Sequence, residues 1–132
     1  EGYFEAAWAL QPIYESTRPA LPATFMEQQV SQFLENVRAE LTYMDVTAEM
    51  AVFVSILGAD EVDFATDGSM GIGVDRRQFD RKMLNFPEVV IEADVTPSKG
   101  MRSVYDRIWQ SANLRGSLNY DKAGNWRAAG RA

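Results

Sequence analysis

Two clusters of side chains in this sequence have types and spacings that could do chemistry. Gly68, Gly71 and Gly73 precede Arg76, Arg77, Arg81 and Lys82. Glycines let backbone N–H groups approach an anion, and guanidinium groups add charge and forked donors. Gly71, Gly73, Arg76, Arg77 and Arg81 therefore form a candidate anion- or nucleotide-binding set. Their spacing matches neither the dinucleotide fingerprint nor the phosphate loop that ends in Lys-Ser or Lys-Thr. The same glycines also suit a plain hairpin or bulge, and the same arginines suit surface pairing with acids. The second cluster is Asp60, Glu61, Asp63, Asp67 and Asp75. Carboxylates at such density could hold a hard cation or supply an acid–base pair for glycoside hydrolysis. The EF-hand pattern fails, and solvated turns between strands account for acids in this setting. Tyr120 and Trp126, with Arg115 nearby, could stack single-stranded nucleic acid, but aromatic residues serve first as packing anchors.

What is missing excludes more than what is present suggests. The 132 residues contain no histidine and no cysteine. Histidine-based triads, imidazole metal sites, thiolate nucleophiles, zinc ribbons and disulfides are all impossible. Acid–base work would fall to carboxylates, Lys or Tyr. The 13 Lys and Arg against 19 Asp and Glu give a net charge of −6, the wrong sign for a domain that binds phosphate backbones over its whole surface. No metal and no cofactor is expected. No apolar run approaches the roughly 20 residues that span a bilayer, and Glu1 and Glu5 stand where a signal peptide would be cationic. These features point to a cytoplasmic protein without a membrane segment. The opening Glu-Gly-Tyr-Phe, without Met, is expected to continue an upstream chain.

The elements that must position these residues follow from periodicity. Phe4, Ala6, Trp8 and Leu10 alternate, predicting a strand over 2–11; Pro12, Pro19 and Pro22 mark a connector to residue 23. Thr24 and Glu27 have the spacing of a capping box. Val30, Phe33, Leu34, Val37, Leu41 and Met44 then recur at three-and-four spacing, predicting an amphipathic helix over about 24–45. Residues 50–57 are apolar on both faces and predict a central, doubly covered strand. Val62 and Phe64 suggest a strand paired with it, and 87–92 another, opened by its proline. Thr96-Pro97 starts a second helix to about residue 112, with Met101, Val104, Tyr105, Ile108, Trp109 and Ala112 as its apolar face. Asp121-Lys122-Ala123-Gly124 predicts a turn closing a small hairpin. The pattern is one α+β domain over 1–132: a mixed, mostly antiparallel sheet of about four strands packed against two main helices.

The second half also resembles a known family. Val52-Phe53-Val54-Ser55-Ile56-Leu57-Gly58-Ala59, Asp75-Arg76-Arg77, Leu84-Asn85-Phe86-Pro87-Glu88-Val89-Val90-Ile91-Glu92, Val104-Tyr105-Asp106-Arg107-Ile108-Trp109-Gln110-Ser111-Ala112 and Ser117-Leu118-Asn119-Tyr120-Asp121-Lys122-Ala123-Gly124-Asn125-Trp126 are similar, in order and spacing, to the C-terminal region of bacterial Alba-like, Schlafen-type DNA-binding proteins, often labelled ATP-binding. The chain departs from that pattern at Gln110, at Asn113-Leu114 and at Ala59-Asp60. The family's DNA or nucleotide function is assigned to an N-terminal domain, so the resemblance carries no catalytic residue over. It implies a C-terminal accessory domain of a larger cytoplasmic regulatory or defence-like protein; together with the poverty of reactive residues, this gives the expectation of a non-catalytic interaction or oligomerisation module of a transcription-regulating protein. The expected partners are its upstream domain and a second copy, with nucleic acid reached only indirectly through the parent. The alternative is the anion- or nucleotide-binding module within 68–82.

Overall fold

The computed structural model describes residues 2–10, 18–66 and 76–127. It is an α+β fold whose small sheets are split rather than joined as one four-stranded sheet. Strand β1 (Ala20–Pro22) runs parallel to β4 (Asp63–Ala65), which pairs antiparallel with β5 (Arg76–Gln78). β2 (Met50–Val52) pairs antiparallel with β7 (Val89–Ile91), and β3 (Ser55–Leu57) with β6 (Met83–Asn85).

The last two pairs form one bent ribbon. Val52 faces Val89 and Ser55 faces Asn85, so residues 53–54 oppose residues 86–88. The extra residue makes a bulge, where Pro87 can sit without costing a ladder hydrogen bond. Pairing resumes as the Phe86 N–H donates to the Val54 carbonyl at 3.1 Å. The bulge is the physical reason the ladder is broken in two.

Helix α1 (Ala23–Tyr43) starts straight after Pro22, which occupies the N-cap position with extended backbone and no side-chain cap. Leu34 and Val37 are buried, and Val30, Phe33 and Leu41 pack against the core, as the periodicity requires. The helix ends as Asp45 enters left-handed backbone at φ 56° and the Val46 N–H returns to the Leu41 carbonyl at 2.8 Å. The Arg38 guanidinium ties α1 to the chain after β7 by donating to the carbonyls of Val95 and, at 2.9 Å, Glu92.

The second predicted helix is two pieces, α2 (Pro97–Gly100) and α3 (Arg102–Ser111), broken at the buried Met101. Gly100 lies against β7 so closely that a Cβ there would meet Ile91 carbons at 2.7 and 2.8 Å. On α3, Val104, Tyr105, Ile108 and Trp109 are buried. Phe64 of β4 links the layers: its ring centre is 5.6 Å from those of Phe79 and Trp109. The Trp109 contact is edge-to-face and the Phe79 contact tilted, and aromatic contacts of this kind add to plain area burial.

Other local expectations change. The strand at Val62 and Phe64 does not pair with 50–57: β4 lies between β1 and β5, while the partners of β2 and β3 are β7 and β6. Residues 2–10 join no ladder; they lie mostly exposed, with Trp8 edge-on to Phe33 of α1 at 6.1 Å. A strand, β1, lies inside the proline-marked connector, with Pro22 at its end. The segment 50–57 is covered on one face only: Ala51, Phe53, Ser55 and Leu57 are exposed, while Met50, Val52, Val54 and Ile56 turn inward.

Candidate functional site

The most chemically loaded place in the fold is one that the sequence disguised. Glu27 lies on α1 and is fully buried. It does not close a capping box, because α1 has no side-chain cap. Its carboxylate instead accepts hydrogen bonds from four side chains. The Ser117 hydroxyl lies 2.6 and 3.1 Å from the two oxygens. The Asn119 amide donates at 2.9 Å, the Trp109 indole at 3.2 Å and the Trp126 indole at 3.4 Å. The Thr24 hydroxyl completes the cluster, donating to the Asn119 side-chain carbonyl at 3.3 Å.

Burial pushes the Glu27 carboxyl above its ordinary value, and the hydrogen bonds from Ser117, Asn119, Trp109 and Trp126 pull it part of the way back. Tyr105, which donates to the Glu27 backbone carbonyl at 3.0 Å and shares a 2.7 Å bond with Ser31, is raised chiefly by burial. A raised carboxyl is a common mark of a general acid. Here, however, both oxygens are occupied by donors from α3 and the loop 112–127, and no surface of the residue is open. The arrangement fastens the loop 112–127 to α1 and α3. That loop has little regular structure, and the other bonds that hold it are of the same kind. Asp106 accepts the Ser117 N–H at 2.8 Å, and the Tyr120 hydroxyl donates to the Ser98 carbonyl at 2.5 Å. Arg102 lies 4.9 Å over the Tyr120 ring. Tyr120 bridges to Trp126, closing the predicted turn. Tyr120 and Trp126 are thus anchors of this loop rather than a stacking platform.

No protein-family model, curated protein or solved structure matches the chain.

Of the residues picked out in the sequence, those that the structure describes are placed as follows. Gly71 and Gly73, with Asp67 and Asp75, lie outside the described residues. Arg76 is engaged in structure: it bonds to Asp63 at 3.1 Å and to the Arg18 carbonyl at 2.9 Å. Arg18 reaches the same Asp63 at 2.9 Å and the Asp60 carbonyl at 2.6 Å, so this pair clamps β1, β4 and β5 together. Arg77 is half-buried on β5 opposite Phe64. Arg81 opens onto a groove, which it shares with Arg107 of α3. Among the described residues no group of three or more carboxylates could hold a metal ion, and no helix is long and apolar enough to cross a membrane.

The outer face of the ribbon is the remaining feature. Phe53 is 71% exposed, Leu57 73%, Met83 53% and Val90 47%. Leu57 stands opposite Met83, and Ala51 opposite Val90. The inner face of the same ribbon already packs on the core, so these side chains form a second, exposed apolar surface among the described residues.

Proposed function

We propose that this domain is a non-catalytic interaction or oligomerisation module whose contact surface is the outer face of the ribbon. One observation carries the reading: Leu57 and Met83 stand opposite each other on β3 and β6, Val90 lies on β7 and Phe53 in the bulge between β2 and β3, and all four are exposed along the outer side of the ribbon. Isolated exposed apolar residues are ordinary, but four large ones along one side of a paired ribbon favour a surface that a partner covers. The tethered Glu27 cluster supports the same reading, because the most polar interior is consumed in holding the domain together. The resemblance to the C-terminal region of Alba-like, Schlafen-type proteins gives the setting: an accessory domain of a bacterial, cytoplasmic DNA-binding regulator, in contact with its upstream domain or with a second copy. Nucleic acid would then be reached through the parent protein, in keeping with the net charge of −6.

Size-exclusion chromatography with light scattering tests this, on the chain alone and mixed with the remainder of its parent protein. Association in either form is the expected result. A strict monomer that takes up no parent domain would overturn the proposal.

A further inference from the structure

A second recognition site lies beside the ribbon. The groove of about 330 Å³ runs along the outer edge of β6, lined by Arg81 and residues 83–87 on one side and by Arg107, Gln110 and Ser111 of α3 on the other. The helical residues are spaced i, i+3 and i+4, so they come from one flank of α3. A continuous strand segment facing one helix flank is the shape that accommodates an extended chain.

The backbone of β6 is set up for such a chain. Phe86 donates to Val54 across the ribbon, and the Lys82 carbonyl accepts from Ala59. By antiparallel alternation Leu84 also turns toward β3, leaving the N–H and C=O groups of Met83 and Asn85 aimed at the groove. No strand among the described residues pairs with this edge. Pro87, which has no N–H, ends the usable edge and so limits the register. The groove's polar side chains divide sharply. The Gln110 amide already donates to the Arg115 carbonyl at 3.0 Å, and the Ser111 hydroxyl to the Arg107 carbonyl at 2.9 Å. Asn85 accepts from Ser55 at 2.7 Å. The two guanidinium groups are left as the groove's charge. Arg81 has only a 3.9 Å contact with its exposed neighbour Asp80, and Arg107 has no carboxylate partner among the described residues.

We propose that the groove binds an acidic peptide segment in extended conformation, which adds as a strand to the outer edge of β6 while its carboxylates meet Arg81 and Arg107. Strand addition supplies backbone hydrogen bonds, and flanking pockets and charges supply selectivity. Leu84, Phe86 and Pro87 give an apolar floor for alternate side chains of the incoming strand. A second copy of this chain fits less well, because its own β6 edge would bring the same two arginines into the seam. This site goes beyond the proposed docking of the ribbon's outer face and is read by a different experiment.

Fluorescence anisotropy with a labelled short peptide alternating valine and glutamate tests the proposal. The expected result is saturable binding that falls at least about tenfold in the Arg107→Glu and Arg81→Glu variants, both at exposed positions, and weakens as salt is raised. N-methylation of alternate backbone nitrogens in the peptide should abolish it, since that removes the strand donors. Failure to bind the peptide would overturn the proposal, as would equal binding of a version with lysine for glutamate or indifference to both arginine variants. Tighter binding of a short single-stranded oligonucleotide, weakened by the same variants, would reassign the groove to nucleic acid and overturn it too.

Discussion

The two flanks of this domain treat polarity in opposite ways. Around Glu27 of α1 a carboxyl group is drawn inside and surrounded by donors from α3 and the loop 112–127, so an irregular segment gains fixed tertiary partners. On the ribbon, apolar side chains that could have formed a core are held outside by strands whose other face already packs inward. The first flank directs its interactions at the chain itself. The second leaves them for something else. Burying a carboxylate is costly unless it is well hydrogen-bonded, and exposing a row of large apolar groups carries a risk of misassociation. Each departure has its own reading, a tether in one case and the proposed contact surface in the other.

The largest effect that would sharpen this contrast is expected at Glu27. Glu27→Leu removes the acceptor of four donors and leaves buried Trp109, Ser117 and Asn119 groups without it. A loss of about 3–5 kcal/mol in urea unfolding is expected, with the loop around Ser117 exchanging its amide hydrogens early. Glu27→Gln, which keeps the shape but presents an amide to some of the same donors, should cost less, about 1–3 kcal/mol. Next comes Gly100→Ala. The added methyl would meet Ile91 at under 3 Å in a closely packed place, so about 1–3 kcal/mol of destabilisation is expected in the same assay.

A pH series breaks the comparison differently. Burial raises the Glu27 carboxyl in the folded state above its unfolded value of 4.5, so the native chain holds that proton where the unfolded chain has released it. The resulting stability is fully present below pH 4.5 and is lost as pH rises through the folded value. The stability difference between wild type and Glu27→Gln should therefore shrink as pH climbs from 4.5. Asp121 has the opposite sign. The Asn125 N–H, then that of Ala123, and the charge of Arg127 hold its carboxyl low. Its contribution should be present above the ordinary aspartate range and fade as pH falls, which comparison with Asp121→Asn would isolate. Smallest of all is the effect of Phe53→Ser or Leu57→Ser on folding. Both side chains are exposed, so stability should change by no more than about 0.5 kcal/mol.

Much of the helical layer could be read in advance, because Leu34 and Val37 on α1, and Val104, Ile108 and Trp109 on α3, keep a helical period that only a buried stripe explains. The same stripe held the clue to Glu27. Counting back three from Val30 and seven from Leu34 places it on the buried face, but its distance from Thr24 also fits a cap, and the local motif hid the tertiary role. Its partners Ser117, Asn119 and Trp126 lie some ninety residues away, and no local pattern predicts a pairing over that separation. The sheet was harder still. In residues 50–57 nearly every side chain is apolar, so alternation could not tell an inner face from an outer one. β1 was hidden among prolines because a three-residue strand at a sheet edge tolerates Pro22 at its end. Arg76 reads as a ligand-binding residue until the fold brings Asp63 beside it.

The measurement that bears most directly on the two-flank account is made on one double variant, Phe53→Glu with Leu57→Glu. Urea unfolding and light scattering would be followed together, with the upstream domain of the proposed function present and absent. The account predicts a fold as stable as wild type that no longer associates. A variant that unfolds, or one that associates as wild type does, would show that the ribbon's outer face is not the surface by which this domain acts.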